Sequence, residues 1–342
     1  MDKNSIIEYL KLYPNSSSTE IFQGIGEASI ATVKRLLSKL IKKNIVISTG
    51  KAKATRYSTS PVYEIFMHID MDEYYRYEID ERDVKTGFNF SLLYEILPNI
   101  SLFNDEEDEK IRALQDRYIE NISIMSATGY KKEIERLSID LSWKSSQIEG
   151  NTYSLLETER LLKEKQTASG KTKDEAVMLL NHKETIDFIV QNPDFLSDLS
   201  VTKIEYLHSL LIKDLGMDKN IRRRKVGISG TNYTPLDNEY QIQESMLAMC
   251  DIINKKNSVF EKALLALLLL SYIQPFVDGN KRIARIVCNA VLISHKHCPI
   301  SFRTVDSLEY KKAMLLFYEK NNISNFKRIF IDQYEFAVKT YF

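Results

Sequence analysis

The chain has little cysteine, no net charge and no apolar run long enough to span a bilayer, and each shortage removes a class of protein. Cys250, Cys288 and Cys298 are its three cysteines in 342 residues, and their spacing gives no disulfide framework. Lys and Arg number 47 against 47 Asp and Glu, so the chain as a whole has no bias towards nucleic acid. The longest apolar run, Ala263 to Ile273, is too short to cross a membrane and reads as a helix buried on all sides. No second ligand pair complements the close trio His295, His297 and Cys298, so a metal is not expected there. The opening Met1-Asp2-Lys3-Asn4 has no signal-peptide pattern. With unpaired cysteines, the expected compartment is a reducing cytoplasm, with no membrane partner.

The charges that are present are unevenly spread. Residues 1–60 carry ten Lys and Arg against four Asp and Glu, a net of +6. Residues 61–120 carry six against sixteen, a net of −10. A basic head followed by an acidic connector reads as separate modules, and the length allows two or more domains.

Residues 1–60 read as a winged helix-turn-helix. Ile6, Ile7, Leu10 and Leu12 form the apolar side of a first helix, broken at Pro14-Asn15. Ser17 or Ser18 caps a short second helix with Glu20 in its first turn. Gly24-Ile25-Gly26 makes the turn. A third helix, from about Ser29 to Lys43, has Ile30, Val33, Leu36, Leu37, Leu40 and Ile41 at helical spacing and Lys34, Arg35, Lys39 and Lys42 on its other face. Ile45 to Tyr57 reads as a two-stranded wing with Lys51 and Lys53 at its tip. The layout resembles bacterial winged-helix transcription factors. Two readings stay open: the basic face grips DNA phosphates, or it is merely solvated on a module used for protein contacts, including a homodimer.

Residues 61–104 form the acidic connector. Alternation around Tyr63 to Phe66 and Tyr74 to Ile79 predicts a few short strands or extended chain, with no evident chemistry. Helices are predicted at about 105–125 and 130–148, then from Asp174 to Val190 with His182, and from Val201 to Leu215 with His208. Both histidines read as polar-face or satisfied core residues. Ile221 to Pro235 reads as a β-hairpin turning at Gly230. Residues 301–342 read as C-terminal helices, two of them from Ser307 on.

The stretch from Ile273 to Arg285 organises the chain. Pro275 and Gly279 break a helical pattern, so it reads as helix, tight loop, helix, with Asp278 and Asn280 as good N-cap types. Lys281 and Arg282 stand in the first turn of the second helix, where the dipole is already positive. Cations there are disfavoured unless an anion sits among them. Backbone N–H groups, Gly279 and two cations together suit phosphate, and Asp278 suits the Mg²⁺ of a nucleotide. Arg285 lies on the same face as Arg282. Solvated charges at an ordinary helix start are the competing reading.

The match of Phe276, Asp278, Gly279, Asn280, Lys281, Arg282 and Arg285 resembles the signature of the Fic (Fido) family. That family transfers AMP from ATP to a hydroxyl of a target protein. The resemblance implies ATP and Mg²⁺ as ligands, with Asp278 for the metal and Gly279, Asn280, Lys281, Arg282, Arg285 and Asn289 around the nucleotide. Gln274 stands where the family has its general-base His. A carboxamide does not titrate near neutrality, so activity is expected to be impaired.

Ser145 and Glu149 are i and i+4, on one helix face, and Gly150 suits a helix end. Ser145 to Asn151 resembles the family's inhibitory motif, which implies that Glu149 pairs with Arg285 in the place of the γ-phosphate. By the same resemblance, Gly227, Ile228, Ser229 and Gly230 belong to a flap that holds the target protein by strand addition. The expected fold is mainly α: a Fic core over about 105–300, an inhibitory helix near 138–150, a small β-hairpin flap and the N-terminal winged helix. Two other functions fit. Lys281 also occurs in kinase-like members, which implies a phosphotransferase. A basic winged helix beside an inactive site suits a nucleotide-sensing DNA-binding regulator.

Overall fold

A computed structural model describes residues 2–26 and 29–342. The chain divides into two compact units, Met1–Ile69 with Lys320–Ser324, and Asp70–Glu319 with Asn325–Phe342.

The first unit is built from α1 (Lys3–Leu12), α2 (Ser18–Ile25), α3 (Ile30–Lys42), β1 (Val46–Thr49), β2 (Arg56–Thr59) and α4 (Pro61–Phe66). Ser17 and Glu20 form a capping box that starts α2, and Gly26, in the left-handed region, ends it. Val33, Leu36, Leu37 and Leu40 of α3 share one core with Ile6, Ile7, Leu10 and Ile21. Leu12, expected in that core, is 74% exposed. It lies two residues from Leu10, about 200° around the helix. β1 and β2 pair antiparallel from Val46 opposite Thr59 to Thr49 opposite Arg56. The short strand or extended chain expected around Tyr63 to Phe66 is helical instead, because the Ser60 hydroxyl accepts the Val62 N–H and Pro61 suits the first turn. The Asn322 side chain donates to the Glu64 and Met67 carbonyls at 2.7 and 2.8 Å, closing the end of α4.

The second unit contains α5 (Met71–Tyr74), α6 (Asp105–Ile124), α7 (Ala127–Ile148), α8 (Leu155–Glu164), α9 (Lys173–Gln191) and α10 (Val201–Leu211). After them come α11 (Glu239–Lys255), α12 (Val259–Ile273), α13 (Asn280–Ser294), α14 (Ser307–Lys320) and α15 (Ser324–Thr340), the last two reaching into Lys320–Ser324. The strand expected at Tyr74 to Ile79 is absent: Asp70 caps the helical turn of α5 through the Asp72 and Glu73 N–H groups. Every residue of α12 from Ala263 to Ile273 is buried, and α13 packs along it. α7 and α9 pack together and against α13, which places the ends of α7 and α12 and the start of α13 near one another.

Residues 221–235 carry no strand; among the described residues β1 and β2 form the one sheet. The expected hairpin is replaced by extended chain with a turn at Ser229 and Gly230. Its backbone groups have other partners. The Arg222 N–H donates to the Pro275 carbonyl at 2.9 Å and the Thr234 N–H to the Thr86 carbonyl at 2.8 Å. The Arg222 guanidinium, 1% exposed, holds the carbonyls of Gln274, Arg224 and Leu236.

Candidate active site

α12 ends at Gln274, whose backbone is left-handed at φ 52° and ψ 57°. Pro275 to Gly279 then cross to α13. Asn280 staples this loop: its side chain accepts the Phe276 N–H and donates to the Phe276 carbonyl, both at 2.8 Å. The N-cap of α13 is Gly279, at φ 82°, rather than the expected Asp278 or Asn280. A Cβ there would meet His208 Nε2 at 3.3 Å. His208 stacks on Phe276, with ring centroids 3.6 Å apart, and shares a hydrogen bond with the Asp278 carbonyl at 2.9 Å. Burial holds this imidazole down to about 4, so it is neutral at pH 7. His208 is thus the floor of the loop, which its position on an amphipathic helix did not signal.

No side chain caps α13. Among the described residues, the backbone N–H groups of Asn280, Lys281 and Arg282 have no hydrogen-bond acceptor. They border a cavity of about 360 Å³. Its lining includes Glu149, Gln274, Asp278 to Arg282, Val226 to Ser229, and Tyr310, Met314 and Tyr318 of α14. Arg282 is 1% exposed; it donates to Asp278 Oδ2 at 3.1 Å, while its Nε and Nη1 have no partner. Asp278 also accepts the Gly279 N–H. The Gln274 side chain turns back to donate to the Ser271 carbonyl at 2.6 Å.

Arg285 is fully buried. Its Nε donates to Ser145 Oγ at 2.8 Å, and its Nη2 to Ser145 O at 2.9 Å and Glu149 Oε1 at 2.8 Å. Glu149 Oε2 is 3.8 Å from Lys281 Nζ. Burial alone would raise the Glu149 carboxyl, but Arg285 first and Lys281 next pull it below its ordinary value of 4.5. His182 completes the cluster, with Nε2 2.8 Å from Ser145 Oγ. Burial, then Arg285 and Arg282, hold it neutral. One buried hydroxyl therefore joins α7, α9 and α13.

Asn289, expected beside the nucleotide, lies outside this cavity. Its side chain donates to the Arg285 and Ile300 carbonyls and accepts the Ile300 N–H at 2.7 Å. Both ends of the amide are therefore occupied by backbone. His295, His297 and Cys298 bond to backbone carbonyls or a neighbouring serine, and no group of three metal-ligating side chains forms among the described residues. No helix among them is long and apolar enough to cross a membrane.

The Fic/DOC family profile matches residues 198–292, which include the loop, the start of α13 and Arg285. The chain carries a Fic domain. It is 23% identical over 212 residues to protein adenylyltransferase fic-1 of Caenorhabditis elegans, covering 60% of this chain and 41% of that protein. It is 26% identical over 233 residues to protein adenylyltransferase Fic of Nematostella vectensis, covering 63% and 51%. The chain thus spans about half the length, or less, of these curated relatives. Solved structures agree on the fold. A Fic-1 fragment from C. elegans gives a TM-score of 0.59 at 21% identity over 69% of this chain and 71% of that one. A Fic domain containing signaling protein from Bacteroides thetaiotaomicron gives 0.58 at 19% identity over 68% and 95%.

Proposed function

We propose that the Fic domain binds ATP and is built for AMP transfer to a hydroxyl of a target protein, closed by Glu149 and lacking its base at Gln274. The observation that carries this reading is the unfilled donor set at the start of α13. Three free N–H groups and Lys281 border one cavity that Arg282 also lines, and the buried Arg282 Nε and Nη1 have no partner, a donor-rich setting that suits a polyphosphate. Asp278 would hold Mg²⁺, which takes one or two carboxylates and completes its shell with phosphates and water. The metal would neutralise charge on the phosphates.

In the transfer, the target hydroxyl oxygen forms a bond to the α-phosphorus, the bond to the bridging oxygen breaks, and pyrophosphate leaves. The hydroxyl proton needs an acceptor. Gln274 offers none, since its amide does not titrate and already donates to Ser271. Losing a general base costs about 10²–10⁴-fold in rate. Glu149, bound to Arg285, stands where the terminal phosphate would go. Backbone of Val226 to Ser229 has no hydrogen bond among the described residues, which leaves this edge able to receive an extended target segment. Glu149→Gly with Gln274→His should transfer label from α-labelled ATP. Transfer from γ-labelled ATP alone would make the domain a phosphotransferase and overturn the reading.

A second reading has its own observation. Lys34, Arg35, Lys39 and Lys42 of α3 are exposed and, among the described residues, make no ion pair. A free cationic helix face suits DNA phosphates, so the first unit would be a winged-helix DNA binder coupled to a nucleotide-sensing Fic domain.

A further inference from the structure

The acidic connector showed no chemistry in sequence, yet it supplies a buried arginine to the flap. Arg82 is 9% exposed, and its Nη2 donates to the Gly230 carbonyl at 2.8 Å, the turn of the 221–235 segment. The same nitrogen lies 3.4 Å from Glu319 Oε1, on a side chain with no exposure, near the end of α14. Tyr74 donates to Glu319 Oε2 at 2.7 Å. The Arg82 guanidinium sits 5.0 Å over the Tyr75 ring, and Tyr75 donates to the Lys312 carbonyl at 2.6 Å. A buried guanidinium is stable only where its charge is paired, and this one is paired by Glu319. What it then offers to the flap is a charge-assisted bond to one carbonyl.

The turn is held from three directions. Gly230 has φ 89°, and a Cβ there would meet Leu315 of α14 at 3.2 Å. Asn232 donates to Asp80 Oδ1 at 2.9 Å, two residues before Arg82. Thr234 N–H donates to the Thr86 carbonyl at 2.8 Å. The chain from Asp80 to Thr86 therefore fixes the far half of the flap, while the backbone edge from Val226 to Ser229, which lines the cavity, has no hydrogen bond among the described residues. An edge that receives another chain without ladder bonds of its own needs such a fixed point, or ordering it would weaken binding.

We infer that Arg82, held by Glu319, is a positioning residue that sets the flap edge for an extended target segment. The inference rests on the target-binding reading of Val226 to Ser229. It assigns the connector to the site and makes α14 its second anchor, since Leu315 and Glu319 are both on it.

The test places a nitroxide on Ser229→Cys in the full chain. Ser229 is exposed, and Cys250, Cys288 and Cys298 are buried, so labelling is selective. Adding Arg82→Ala should sharpen the spectrum to a mobile form and speed tryptic cleavage after Arg224 and Lys225 about tenfold, the loss of one bond to a charged group. Binding of ATP with Mg²⁺ should stay within about twofold, since Arg82 is outside the cavity. Arg82→Lys should retain part of the immobilisation, and it serves alone if Arg82→Ala does not fold. An unchanged spectrum and cleavage rate in a folded Arg82 variant overturn the inference, as does equal loss of ATP binding. In the Glu149→Gly/Gln274→His background, Arg82→Ala should slow modification of a protein hydroxyl. If that background is inert while the label still becomes mobile, the transfer reading fails and the anchor stands. If it is active and Arg82→Ala leaves its rate unchanged, the positioning role fails.

Discussion

Glu149 is a carboxylate that stays charged in a place burial would otherwise neutralise, because Arg285 donates to it at 2.8 Å. Its folded value is below its unfolded one. The pair therefore contributes stability above the unfolded value and loses it only as pH falls through the folded one. At neutral pH the contact is closed, and pH is not what opens it. Removing one partner of a buried pair costs about 3–5 kcal/mol, because the other charge remains. Glu149→Gln should lower the unfolding midpoint without nucleotide. It should then show a larger rise than the parent when ATP and Mg²⁺ are added, because the phosphates replace the lost partner. Equal ATP-induced shifts in the two proteins would contradict this.

The two buried histidines set the acid side. Both have folded values depressed below 6.5, His208 to about 4. Below 6.5 the unfolded chain takes up protons that the folded one refuses, so stability falls as pH drops and is intact above that value. His208 alone should cost about 2 kcal/mol at pH 5. Urea unfolding between pH 7 and 5 measures this, and His208→Gln should flatten the slope. A stability constant over that range would contradict the assignment.

At the scale of elements, α12 and α13 were legible because one is apolar throughout and the other opens with a dense run of matching residues. α7 was legible up to its end at Ile148, with Glu149 as the capping residue. The wall from α14 was not, because which face of a helix meets a cavity is set by packing rather than by its own pattern. Tyr310 and Tyr318 came from a segment with no functional signal. The same holds for His182, whose role depends on Ser145, 37 residues away. The flap misled as a hairpin because its alternating residues fit a strand, while its backbone partners, Pro275 and Thr86, are remote in sequence. Asn289 misled for a related reason: one turn past Arg285 it faces Ile300, not the cavity. Asn289→Ala should therefore leave ATP binding unchanged and destabilise by about 1–3 kcal/mol, since the buried Ile300 N–H loses its acceptor. A loss of ATP affinity at unchanged stability would restore it to the nucleotide site.

At the scale of the molecule, an overall balance of charge concealed a first unit with a free cationic face on α3. If that face grips duplex DNA, affinity falls with salt along a log–log slope of about −0.9 per phosphate neutralised. Lys34→Ala and Lys39→Ala should each make that slope shallower by about one. Binding that ignores salt, or slopes the substitutions leave unchanged, would return the unit to protein contacts.

The proposed site is a sound AMP-transfer site closed by one glutamate and missing one base. The most direct measurement is intact mass after incubation with ATP and Mg²⁺, comparing Glu149→Gly, Gln274→His and the double variant. The account predicts an AMP-sized gain in the double variant, on the chain itself or on an added protein, and little or none in either single one. A gain with Glu149→Gly alone would contradict the role given to Gln274. A double variant that binds ATP yet transfers nothing would contradict the claim itself.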